Sequence, residues 1–125
     1  MKKIKITKLD RMMSQFVRNK ANWYCERCFK KYVPPTNALH NAHIFTRSRH
    51  STRFDSDNCK SLCYGCHSYL DRNPKLKYAW YIEKFGQETF EKLELRSNIP
   101  SKIDRVMIEL WLRRKLHDQN AYGND

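Results

Sequence analysis

The reading of the fold turns on Asn58-Cys59-Lys60-Ser61-Leu62-Cys63-Tyr64-Gly65-Cys66-His67. Asn58 to Leu62 suits a short strand, and Tyr64 to about Arg72 a short helix that Asn73-Pro74 brings to a stop. Between them stands Cys63-x2-Cys66, and 34 residues upstream lies a second pair, Cys25-Glu26-Arg27-Cys28. Two residues between thiolates let one turn present both sulfurs to a tetrahedral ion, so the two pairs predict a four-cysteine structural zinc site. Redox motifs or a disulfide pair are the competing readings. A reducing compartment disfavours disulfides, and neither pair opens a helix in a thioredoxin-like βαβ unit. The segment that zinc would enclose is short of core material, so the ion is expected to contribute much of its folding free energy. Cys59 is left over and is expected to be a small buried apolar residue. A closed four-thiolate site has no open coordination position, so any hydrolytic chemistry must come from other residues.

Outward from this stretch the pattern is mostly helical. Leu9, Met12, Met13, Phe16 and Val17 form one apolar helical face, predicting a helix from about Leu9 to about Asn22. Pro34-Pro35 interrupts regular structure. Leu39 to Phe45 suits a strand, and Arg47 to Asp57 reads as a polar, basic loop. Tyr78, Tyr81, Ile82 and Phe85 mark another helix that Gly86 stops, and Gln87 to Leu95 a further one. Ser101 with Asp104 reads as a capping box. The helix it opens is expected to turn Ile103, Val106, Met107, Leu110 and Trp111 inward. Arg113-Arg114-Lys115 reads as a solvated charged face near its end, and residues 119–125 as a frayed terminus. The expectation is one α+β domain: an N-terminal helix in 1–24, a zinc-stabilised core in 25–74 and helical support in 75–125.

The 125 residues carry a net charge of +12, with 40% hydrophobic and 13% aromatic side chains. That aromatic content argues against disorder, and no apolar run is long enough for a membrane span. The start has no signal-peptide pattern, so a cytoplasmic location is expected. The charge predicts an anionic partner, nucleic acid before a membrane surface. Residues 1–74 hold a balance of +10, every cysteine and four of the five histidines, against +2 for residues 75–125. The positive charge therefore follows the Cys/His residues.

Ala42-His43-Ile44 together with Asn58-Cys59-x2-Leu62-Cys63-x2-Cys66-His67 resembles the signature of the HNH nucleases, including the zinc-knuckle cysteines that many members carry. The resemblance implies a ββα-metal core, two short strands and a helix around one divalent ion such as Mg²⁺. It implies His43 as general base, Asn58 as the residue tying the loop that keeps the His43 ring oriented, and His67 as a metal ligand. The chemistry agrees with those roles. Phosphodiester hydrolysis needs a group that deprotonates water near neutral pH, and a cation beside the scissile phosphate. Ala42 stands where many members have an Asp or His ligand. Strand alternation turns Asn41 to the His43 side and His40 away, so Asn41 is the candidate second ligand. A metal held by His67, waters and phosphates is the alternative.

A narrower similarity, to the phage NinG/Rap recombination nucleases, covers most of the chain. It is carried by Arg53-Phe54-Asp55 through Asn58-Cys59 and by the later helix–Gly–helix with Ile82, Phe85, Gly86, Phe90 and Leu93. It implies action on branched or duplex DNA in a phage or prophage setting. In the basic loop, Arg47, Arg49, Arg53 and His50 are the candidate DNA contacts, with pairing to Asp55 and Asp57 as the competing reading. Lys2, Lys3, Lys5, Lys30 and Lys31 are expected to add general electrostatic attraction. A zinc-stabilised DNA-binding module without catalysis is the alternative function, and a homodimer is left open.

Overall fold

A reciprocal cap fixes where the chain first becomes helical. The Thr7 hydroxyl accepts from the Asp10 N–H, and the Asp10 carboxylate accepts from the Thr7 N–H at 2.8 Å. The computed structural model describes residues 5–123, so Lys2 and Lys3 lie outside the described residues. Its elements are α1 (Lys8–Lys20), β1 (Leu39–His43), β2 (Cys59–Cys63), α2 (Tyr64–Arg72), α3 (Pro74–Phe85), α4 (Gln87–Ser97) and α5 (Arg105–Tyr122). The described chain is thus a small, mostly helical α+β structure with one two-stranded sheet. None of its helices is long and apolar enough to cross a membrane.

The strands pair antiparallel, with Leu39 opposite Cys63 and His43 opposite Cys59. Cys63 both ends β2 and caps α2, its Sγ accepting from the Cys66 N–H at 3.4 Å. Consequently α2 rises beside the N-terminal end of β1, near His40, while His43 sits at the strand's other end. Pro74 then serves as the first residue of α3 rather than only as a stop, because a helix's first turn needs no intrahelical N–H.

Three apolar clusters hold these elements. Leu39, Ala42, Leu62 and Leu70 pack with Cys25, Cys63 and Cys66. Leu9, Met13, Phe16 and Val17 of α1 pack on Leu112 of α5 and on Cys59. Ile44 and Phe45, just past β1, pack on Tyr81, Phe90 and Leu93 of α3 and α4. Cys59 is the buried residue its position predicts, and burial pushes its thiol up to about 12.

The C-terminal helix departs from the expectation. Asp104, not Ser101, caps it, accepting from the Met107 N–H at 3.1 Å. Its inward face is Ile108, Trp111, Leu112 and Leu116, whereas Val106, Met107 and Leu110 are exposed. Both stripes fit a 3.6-residue period, and the one chosen puts Trp111 edge-on to Phe16 at 5.3 Å. The helix also continues to Tyr122, because Gln119 donates to the Phe16 carbonyl and accepts from Asn19. Arg113 and Arg114 are exposed and pair with Glu109 and Asp118 one turn away, the solvated face expected.

The basic loop is corrected as well. Arg53 is buried at 6% exposure, and its guanidinium forks onto the Asp10 carboxylate at 3.0 and 2.6 Å. Burial works against the Asp10 carboxylate, but Arg53 and Thr7 more than offset it and hold its pKa below the usual range. Arg53 is therefore removed from the candidate DNA contacts. The loop's acids do not pair with the loop's arginines: Asp55 and Asp57 bind Arg96 of α4 at 2.7 and 3.0 Å.

Breaking this buried pair leaves an uncompensated charge. Arg53→Met is expected to destabilise the protein by about 3–5 kcal/mol in urea unfolding, and Arg53→Met with Asp10→Leu by markedly less. Equal losses in the single and double variants would contradict a coupled pair.

Candidate functional site

The four cysteines converge. All four Sγ atoms lie within 4.8 Å of one another, and Cys28 and Cys63 are 3.8 Å apart. A zinc ion with four thiolates at about 2.3 Å spaces its ligands by about 3.8 Å along each tetrahedral edge, so the cluster fits that ion. The geometry comes from two tight turns. Cys25 Sγ accepts from the N–H groups of Arg27 and Cys28 at 3.5 Å, and Cys63 Sγ from that of Cys66. Arg27 adds a charged donor to Cys66 Sγ at 3.4 Å. Backbone donors and a guanidinium aimed at sulfur suit thiolates better than thiols.

A cleft of about 910 Å³ lies between α1, β1, α2 and α3, and His40, Asn41, His43 and His67 all line it. Asn58 lies behind the cleft rather than in its lining. Fully buried, it accepts from the Phe45 N–H at 2.7 Å and donates to the Phe45 and Thr52 carbonyls at 2.9 and 3.0 Å. One amide thereby ties the end of β1 to the loop. That loop presents the Arg53 carbonyl, to which His43 Nε2–H donates at 3.0 Å. The bond fixes the neutral tautomer and leaves Nδ1 as the basic nitrogen. Burial pulls the His43 pKa down to about 4, against the Arg53 carbonyl and helped by the Arg47 charge. The ring is therefore unprotonated at neutral pH.

His40, which strand alternation had turned away, is the residue against His67. Their Nδ1 atoms are 2.9 Å apart. The outer nitrogens set the tautomers: His40 Nε2–H donates to the Asn37 carbonyl at 2.9 Å, and His67 Nε2 faces the Asp71 carboxylate at 3.1 Å. With both outer positions holding protons, two Nδ1 lone pairs point at each other. That arrangement is repulsive unless a cation lies between them, a proton or a metal ion. Burial lowers the His67 pKa against the opposing Asp71, and His40 lowers it further. Lys77, itself 8% exposed, holds Asp71 from the other side at 3.3 Å. Asn41 keeps a place in this wall. Its Oδ1 is buried without a hydrogen-bond partner, and its amide engages the buried Cys59 thiol, on the other side of the strand from His40.

Ala42, at the position where a ligand was sought, is 2% exposed and packs in the cluster around the cysteines. The cations of the cleft are Arg11, Arg18, Arg47 and Lys77. Only Arg47 belongs to the expected set. Arg49 is exposed but pinned to Ser97 and Asn98 of α4 at 3.0 and 2.9 Å, and His50 is exposed outside the cleft. Arg11, Ser14 and Arg18 occupy one stripe of α1 at helical spacing, a signal the apolar stripe beside it obscured. His40, Asp71 and Lys77 become legible only through the strand register and the α2–α3 turn.

Comparison with models of protein families, with curated proteins and with solved structures finds no match to this chain.

Zinc titration of the reduced protein is expected to protect four thiols per bound ion; protection of two would contradict a single four-sulfur site. For His43, ¹⁵N NMR is expected to show the neutral Nε2–H tautomer at pH 7 and a titration midpoint near 4, with the charged form appearing only as pH falls toward that value. A midpoint of 6.5 or above would contradict the buried, carbonyl-bound ring.

Proposed function

We propose that this protein is a metal-dependent DNA endonuclease of the HNH type, with a four-cysteine structural zinc and one hydrolytic centre in the cleft. The observation that carries the reading is the pair of opposed Nδ1 atoms, His40 and His67, in the same cleft as a neutral, oriented His43. A divalent ion such as Mg²⁺ would be held by His67 and His40, with waters to complete its shell. It would supply Lewis-acid stabilisation of the charge developing on a scissile phosphate. The cleft's own residues do the rest. His43 Nδ1 takes the proton of the attacking water, and the Arg53 carbonyl steadies the imidazolium that results. Asn58 fixes the loop that carries that carbonyl. Arg11 and Arg47 hold the phosphodiester backbone, while Lys77 stays on Asp71 and Arg18 on the Thr36 and Leu39 carbonyls. His40 and His43 are three positions apart on the strand, roughly 10 Å between Cα atoms, which leaves room for a phosphate between metal and base.

The similarity to phage recombination nucleases, and a cytoplasmic setting in which zinc thiols stay reduced, belong to the same proposal. Ala42 favours the second reading, a zinc-stabilised DNA-binding module, because its turn into the core removes one protein ligand from the cleft.

Supercoiled plasmid with Mg²⁺ or Mn²⁺ separates the two. The wild-type chain is expected to nick it, His43→Ala to slow nicking by about 10²–10⁴-fold, and Asp71→Asn to require about 10–100-fold more metal. Equal nicking by His43→Ala would remove His43 as base. DNA binding with no nicking under any divalent metal would establish the binding module instead.

A further inference from the structure

The turn that follows Cys28 carries a residue its backbone disfavours. Phe29 has φ +64°, the left-handed region that a glycine adopts most cheaply, yet the side chain is 65% exposed. Its ring returns little burial for that cost. It does carry a cation: Lys84 Nζ, whose ammonium also donates to the Glu26 carbonyl, lies 4.7 Å from the ring centre. Cation–ring pairs recur on the residues around the zinc knuckle. Tyr24, 41% exposed, has Lys31 4.7 Å over its ring, the two residues being bridged across the knuckle. Lys60 sits 4.0 Å over Phe85, a half-buried ring packed on Tyr81 and Trp80, and so adds charge rather than a stacking face. None of these residues lines the cleft. Of the acids beside Lys60, Glu26 is turned inward, its Oε2 accepting from the Ser61 N–H at 2.7 Å, and Asp57 is paired with Arg96 at 3.0 Å.

Rings of this kind, each flanked by a lysine, match a ligand that offers flat π-faces along a line of negative charge. Duplex DNA offers the charge but keeps its base faces stacked. A single strand offers both, with bases on the aromatic rings and phosphates on the ammonium groups. We infer that the zinc-knuckle surface formed by Phe29, Tyr24, Lys31, Lys60 and Lys84 binds single-stranded DNA, separately from the cleft. The inference rests on the DNA reading of the cleft and narrows its substrate to DNA with an unpaired segment beside the cleavage site.

The test uses the full zinc-loaded chain without added divalent cation. Fluorescence anisotropy compares a labelled oligo(dT) with a hairpin duplex of equal phosphate number. Phe29→Gly relieves the backbone and removes the ring, so it preserves the fold and its four protected thiols. It is expected to weaken oligo(dT) binding by roughly 5- to 150-fold while hairpin binding changes by less than about twofold. Lys84→Met is expected to reduce the salt slope on oligo(dT) by about 0.7, one phosphate contact. Unchanged oligo(dT) affinity in Phe29→Gly, or equal losses on both ligands, overturns the inference. Wild-type plasmid nicking beside that result leaves the nuclease reading intact, whereas a wild-type chain that binds neither ligand removes both.

Discussion

Four sulfurs brought to one point organise the half of the chain that holds most of its charge. Cys63 shows why. It is the last residue of β2, the cap of α2 and one of the four converging thiols, so strand register, helix start and cluster geometry are a single constraint. Since Leu39 pairs with Cys63, α2 must rise beside the start of β1, and His67 must arrive next to His40. Without an ion the four thiols and Leu39, Ala42, Leu62 and Leu70 would be a meagre core. The ion's binding free energy then becomes folding free energy for the same residues that form the cleft wall.

The other end of the sheet is held by polar contacts rather than by sulfur. Arg53 serves both sides of its own backbone: the guanidinium is locked on Asp10 of α1, and the carbonyl receives His43. Asn58 closes the loop between them. A ring set this way by two buried amide and ion-pair contacts cannot turn without breaking one of them, which is the preorganisation a general base requires. The cost is visible in the His43 pKa, pulled down to about 4 by the burial that orients it. In the proposed hydrolytic role, a base so weak would rely on neighbouring positive charge to make water acidic, and the opposed nitrogens of His40 and His67 lie in the same cleft.

What the sequence made legible was whatever rests on spacing along the chain. Both CxxC pairs, the strands near 39–45 and 58–62, and the helix from Tyr64 to Arg72 follow from short-range pattern, and the structure has them within a residue or two. Asn58 as a loop tie came from the resemblance to HNH nucleases, and its amide does bridge two backbone segments, accepting from Phe45 and donating to Phe45 and Thr52. Choices between equivalent patterns were not. Along α5 two apolar stripes satisfy one helical period, and only the seat beside Phe16 selects Trp111 and Leu112 over Met107 and Leu110. Arg53 reads as a surface arginine until its partner forty-three positions earlier is known. His40 was discarded by strand alternation, a rule about β1 alone, whereas its partner is supplied by α2 through the register of β2.

The placement of charge gains a sharper meaning from this. An excess confined to residues 1–74 is compatible with a uniform basic surface, but its members divide by environment. Arg53 is consumed internally, and Arg49 is tied to α4. Arg11, Arg18 and Arg47 line the histidine-containing cleft, where the proposed function would place phosphate. Lys31 and Lys60 instead lie over aromatic rings on the knuckle, joined there by Lys84 from the nearly neutral half. A duplex lying in the cleft would have no use for the second group. Two basic surfaces of different chemistry, one arginine-rich and concave and one of lysines over rings, would under the proposed DNA reading divide a paired from an unpaired part of the ligand.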